Sequence, residues 1–151
     1  MRVIASLLFS SLLFLSMDAH ASALHGFSAK GQIDLRGVGS RKVVLHVREA
    51  KEIANDKLRT IYFGVLSIAN SNGEFGTFVT IRFEKVSISK DGQTVHMYTR
   101  GRNRMGEGTT SYSISASLSD SGVLQGKLSS NQVRSDGELL EGEFQVNLRS
   151  A

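Results

Sequence analysis

With 151 residues, 18 of them Lys or Arg against 14 Asp or Glu, the chain has the length of one domain and a small positive excess. Cysteine is absent, which excludes a lipoprotein anchor, a structural disulfide and thiolate-ligated zinc. The apolar residues, 40% of the chain, lie in short runs throughout, so the composition supports a packed core rather than disorder.

Met1–Ala23 carries the strongest local pattern. Arg2 supplies a positive start, Val3–Leu15 is an apolar run broken only by serines, and Ala19-His20-Ala21 places small residues where a signal peptidase reads them. These thirteen residues reach about 20 Å as a helix, short of a hydrocarbon core roughly 30 Å thick. The expectation is a signal peptide over residues 1–21, cut after Ala21 or alternatively after Ala23, and export to a bacterial periplasm or the extracellular space. No Asn-x-Ser/Thr acceptor follows any asparagine, which with the missing cysteine favours a bacterial setting. Residues 22–29 read as a flexible lead-in and 30–149 as a single β domain, with no transmembrane segment in the mature chain.

From there the sequence alternates in short segments separated by Gly, Asn, Asp and Ser. Ile33 and Leu35 precede Gly37-Val38-Gly39-Ser40, and Val43, Leu45 and Val47 share one face of the next segment. In Arg48–Leu58 the residues Ala50, Ile53, Ala54 and Leu58 fall at helical spacings, which fits a one- to two-turn helix near 49–57 or else a long charged hairpin loop. Ile61, Phe63 and Val65 define another strand, and Asn70-Ser71-Asn72-Gly73 supplies a turn whose Asn-Gly pair suits a tight hairpin. Val79, Ile81 and Phe83 share one parity, whereas Val86 and Ile88 share the other. That phase change at Glu84-Lys85 is the signature of a β-bulge. Asp91-Gly92 turns the chain into Val95 and Met97. Tyr112, Ile114, Ala116 and Leu118 then alternate with serines, and Leu140, Gly142, Phe144, Val146 and Leu148 alternate with polar residues.

The fold class is therefore all-β: a small antiparallel meander of seven to eight strands, with a calycin-like barrel preferred over a two-sheet sandwich. Gly64, Gly126 and Gly142 inside strand patterns favour the barrel, because such glycines mark sharp coiling or close backbone approach. The ending, Gly122-x-Leu124-x-Gly126 followed by Leu140-x-Gly142-x-Phe144, resembles the cadence of small meander barrels that hold ligands. Avidin-like and lipocalin-like barrels lean on tryptophans, and this chain has none. An outer-membrane barrel is the rival, opposed by the lack of paired aromatic girdles and by an ending in Arg149-Ser150-Ala151.

Few residues suggest chemistry. His46 and His96 sit at polar positions of separate segments, without further ligands at supporting spacings, so no metal or cofactor is expected. Glu141 and Glu143 stand about 7 Å apart on one strand face, where they read as its wet side. No catalytic motif is present. The most unusual feature is Arg100-Gly101-Arg102-Asn103-Arg104 in a glycine-rich connection, with Tyr98 close by. Guanidinium forks match phosphate, sulfate or carboxylate oxygens, so Arg100, Arg102, Arg104 and Tyr98 form the candidate ligand-binding set.

Charge is also uneven. Lys30–Arg59 holds eight Lys or Arg against four acids, while residues from Ser111 onward hold three against five. In an envelope compartment a basic patch points to anionic lipid, polysaccharide or an acidic protein, and one such loop without aromatic interleaving does not suggest nucleic acid. The leading expectation is a non-enzymatic binding module for an anionic or a small apolar ligand. A structural or inhibitory interaction domain is the alternative, and an enzyme of unrecognised class comes third. A filled or an empty barrel interior separates surface recognition from ligand storage.

Overall fold

The computed structural model describes residues 24–102 and 108–148. Its strands are β1 (Phe27–Leu35), β2 (Gly39–Ala54), β3 (Lys57–Ile68), β4 (Val79–Phe83), β5 (Lys85–Ile88), β6 (Thr94–Arg102), β7 (Thr109–Leu118), β8 (Val123–Ser130) and β9 (Gly142–Leu148). All pairs are antiparallel, in the order β4-β3-β2-β1-β9-β8-β7-β6-β5. The result is one nearly closed, barrel-like sheet with no helix among the described residues, not a two-sheet sandwich. β1 begins at Phe27, so the sheet takes in the end of the segment read as a lead-in, and Leu24, Phe27 and Ala29 are buried.

The two ends of that order, β4 and β5, are separated only by Glu84. Pairing changes sides there: β4 is hydrogen-bonded to β3, whereas β5 is hydrogen-bonded to β6. The phase change in the sequence is thus a bend at which one strand leaves one neighbour and joins the other. Ile81 and Phe83 before it, and Val86 and Ile88 after it, all still pack on the core.

Alternation supplies that core. Inward positions such as Ile33, Leu45, Leu66, Val95, Leu124, Leu128 and Val146 have no accessible surface, and the large side chains of Phe83 and Phe144 are 2% and 3% exposed. Burying each such side chain contributes roughly 1.5–3 kcal/mol. Apolar side chains face inward and polar ones outward, the reverse of a membrane-spanning barrel. No helix among the described residues is long and apolar enough to cross a membrane.

The expected helix near 49–57 is instead a projecting β-hairpin. β2 runs on to Ala54, Asn55 and Asp56 take positive φ values of 52° and 60°, and β3 starts at Lys57. Two consecutive left-handed residues make the tight turn whose twist matches that of the strands it joins. Cross-strand partners then secure the arm. Arg48 lies over the Phe63 ring at 5.7 Å, Glu52 accepts from Arg59 at 2.7 Å, and Lys51 donates to Thr60 at 2.6 Å, each pair directly opposite in register. The supposed helical stripe is divided: Ile53 and Leu58 share one face of the arm, Ala50 and Ala54 the other. Asn72-Gly73 also departs from expectation, since Gly73 donates its N–H to the Asn70 carbonyl within a longer connection between β3 and β4.

At the end opposite the arm, the β8–β9 connection is tied over the β1–β2 turn. Arg36 meets Glu138 at 2.9 Å and Glu141 at 2.7 Å, and Arg134 donates to the Arg36 carbonyl at 2.7 Å. The Glu141 and Glu138 carboxylates hold the Arg36 guanidinium still more firmly in its charged form. Buried Leu140 anchors the same segment.

Two of the three glycines singled out within strands sit where backbones nearly touch. A Cβ at Gly142 would lie 2.3 Å from the Asp34 carbonyl oxygen, and one at Gly126 would lie 2.4 Å from that of Ser115. At Gly64 the nearest atoms, at 3.0 Å, belong to the flexible side chain of Met97. Gly142→Ala should therefore lower stability by about 3 kcal/mol and Gly64→Ala by about 1 kcal/mol or less, read from urea midpoints.

The β5–β6 turn carries a pH response. The Asp91 carboxylate accepts from the Ser89 hydroxyl and the Gln93 N–H, and these bonds hold its carboxyl below the usual carboxylate range. A depressed folded pKa means the contribution is complete above the unfolded value and is lost as pH falls through the folded one. The Gln93 amide resonance should follow that acid titration, and Asp91→Ala should abolish the response.

A cationic groove over the outer wall of β5–β8

Outward positions of four neighbouring strands line up in two rows across the sheet. Lys85 of β5 stands opposite Tyr98 of β6, Tyr98 opposite Ser113 of β7, and Ser113 opposite Ser129 of β8. One step along, Ser87, His96, Ser115 and Lys127 follow in the same order. The residues between these rows, Val86, Met97, Ile114 and Leu128, belong to the core, so strand alternation turns both rows outward.

Four of the eight side chains are serines. Between the longer Lys85, Tyr98 and Lys127 they leave a groove of about 650 Å³, whose lining also takes in Arg59–Tyr62 of the hairpin arm and Glu84. Small-molecule sites commonly occupy roughly 300–1,000 Å³. Tyr98 is 41% exposed and offers a ring beside the cations.

The balance of charge is positive. Arg59, Lys85 and Lys127 face the groove against Glu84 alone. Arg59 is held by Glu52 at 2.6 Å. Among the described residues, ion pairs form at Arg36, Lys51, Arg59 and Arg134, which leaves Lys85 and Lys127 unneutralised. Lys127 lies in register with Glu143 of β9 yet makes no ion pair with it. Beyond Lys127 the wall changes character: a second groove, about 760 Å³, is lined by Gln32, Gln125, Gln145, Asp34 and Glu143. Lys127 thus marks the border between a cationic half and an amide-rich, acidic half.

Only part of the arginine-centred candidate set lies at this groove. Tyr98 is in its lining. Arg100 is two residues further along the same outward face, where its Nε donates to the Thr109 hydroxyl at 3.3 Å. β6 extends through Arg102, and Arg104 lies outside the described residues. β6 carries Arg100 toward the end of the sheet opposite the hairpin arm. His46 and His96 are on β2 and β6, which are not neighbours, so they are not brought together. Glu141 is engaged by Arg36 and does not act with Glu143 as a free pair.

Arg59, Lys85 and Lys127 escape a reading of the sequence. Each is an isolated cation on its own strand, and only their outward parity is readable. Their convergence depends on the registers of four strand pairs, which no local pattern encodes. Comparison with protein families, with curated proteins and with solved structures finds no match.

Tyr62 closes the groove near the arm, with its hydroxyl 2.9 Å from His25 Nδ1. Burial, reinforced by the negative charge of Glu49, pushes its hydroxyl above the ordinary tyrosine value. A raised folded pKa contributes stability that is complete below the unfolded value and lost as pH rises through the folded one. Burial raises the Tyr112 hydroxyl as well, so spectrophotometric titration should show late ionisation of two tyrosines, of which Tyr62→Phe removes one.

Proposed function

We propose that this chain is an exported, non-enzymatic binding module that takes an anionic ligand into the groove over β5–β8. One observation carries the reading: strand registers bring Lys85, Lys127 and Arg59 together with Tyr98 over a floor of short serines. Lys85 and Lys127, the two of these cations without acidic partners among the described residues, attract negative groups at long range, and walls of low dielectric raise their effect. The ligand classes available in an envelope compartment are lipid phosphate, acidic polysaccharide and an acidic protein surface. Arg100, two residues beyond Tyr98 on the same strand face, extends the same positive field.

The filled interior supports surface recognition over storage of a small apolar ligand. Inward side chains from every strand occupy the space that a carrier would keep open. Grooves on the outer wall are where this molecule has room.

The test is binding to dextran sulfate and to vesicles containing phosphatidylglycerol. Affinity should fall as salt rises, because screening at 0.15 M already acts over about 8 Å. Lys85→Glu combined with Lys127→Glu should weaken binding by at least about tenfold while leaving the unfolding free energy from urea titration within about 0.5 kcal/mol. Changing Arg100, Arg102 and Arg104 together to serine should have a smaller effect. Undiminished binding in the charge-reversed protein would refute the groove's role.

A further inference from the structure

We infer that the groove's ligand is a linear acidic polysaccharide, lying across strands β5–β8 and bridging Lys85 and Lys127. This rests on reading the groove as an anion site and names the class of molecule that fills it. Spacing is the starting point. Lys85 stands on β5 at one end of the first outward row, whereas Lys127 stands on β8 at the far end of the second. Three strand spacings and one two-residue step separate them, a diagonal of about 16 Å between Cα positions. Side chains on a sheet stand roughly perpendicular to it, so a single phosphate or carboxylate meets only one of the two ammonium groups. A ligand that engages both is extended and carries negative groups well apart.

The floor specifies what lies between those groups. Ser113 and Ser129 continue the row of Lys85, and Ser87 and Ser115 share the row of Lys127. The backbone N–H and C=O groups of β6 and β7 are taken up by ladders on both sides, so the floor offers hydroxyls, each able to donate and to accept. Sugar hydroxyls complement such a surface, and the C–H face of a sugar ring suits the Tyr98 ring, which is 41% exposed. An acidic peptide laid across the strands finds no backbone ladder for its own N–H and C=O groups. A planar bilayer of anionic lipid meets the longer Lys85, Tyr98 and Lys127 first and leaves the serines in water.

Charge also sets the ends of the site. Glu143 of β9 stands in register beside Lys127, and Glu84 immediately precedes Lys85. These carboxylates repel an anionic chain that runs on past either lysine, so the lysine pair fixes the length that binds.

The experiment compares digalacturonate, whose carboxylates are too close together to reach both lysines, with hexagalacturonate, which spans them. Joining the two contacts in one chain should make hexagalacturonate bind at least about tenfold more tightly. Lys85→Gln or Lys127→Gln alone should remove that advantage while leaving digalacturonate within about threefold, because one lysine still serves it. Ser113→Ala combined with Ser115→Ala should weaken hexagalacturonate and leave phosphatidylglycerol vesicles unaffected. A hexaglutamate peptide, equal in charge, should bind more weakly than hexagalacturonate. Equal affinity for the two galacturonates, equal or tighter binding of hexaglutamate, or lysine-dependent binding of the vesicles alone would overturn the polysaccharide and leave the anion site standing. Failure of the galacturonates, the peptide and the vesicles to bind would remove the anion site as well.

Discussion

The architecture depends on the bend at Glu84. A meander whose first and last strands pair along one side, as β1 and β9 do, still has two loose ends on the other. Here those ends are β4 and β5, successive pieces of one strand, so the sheet is closed by the covalent chain where hydrogen bonding is interrupted. The bend keeps Phe83 and Val86 on the core despite the change in parity. It also ends the ladder between β3 and β4 at Gly64, while β5 stays close to β3 without pairing to it.

Inside, the barrel is filled. Branched and aromatic side chains from every strand but β5 meet at exposures of a few per cent, Val86 and Ile88 of β5 pack against them half-buried, and glycines at 126 and 142 let neighbouring backbones approach closely. The grooves described lie on the outer wall. That wall is divided by Lys127 into a cationic face over β5–β8 and an amide-rich, acidic face over β8, β9 and β1. Serines line up across β7 and its neighbours because short hydroxyl side chains suit an exposed strand surface. The same shortness creates the depression between longer cations.

The hairpin arm shows why local periodicity misleads. Ala50, Ile53, Ala54 and Leu58 have helical spacing, and most of the intervening residues are good helix formers. Two left-handed residues at Asn55 and Asp56 prevail, supported by Arg48–Phe63, Glu52–Arg59 and Lys51–Thr60, which satisfy one another only in a two-stranded register. Such complementarity links residues up to fifteen apart, beyond the reach of a helical stripe. The arginines of Arg100–Arg104 stand out in the sequence because they are close neighbours in it, whereas the groove's own cations are scattered over three strands.

Strand alternation, the turn glycines and the phase change between Phe83 and Val86 were written in the chain itself, because each depends on near neighbours facing water or core. Those features determined an all-β meander with an apolar inside and a bend near Glu84. Which strands meet, in what register, and therefore which cations gather were decided only when the sheet closed. Lys85, Tyr98, Ser113 and Ser129 form a row because three separate pairings place them opposite one another, and each pairing is set by how the whole set of inward side chains packs.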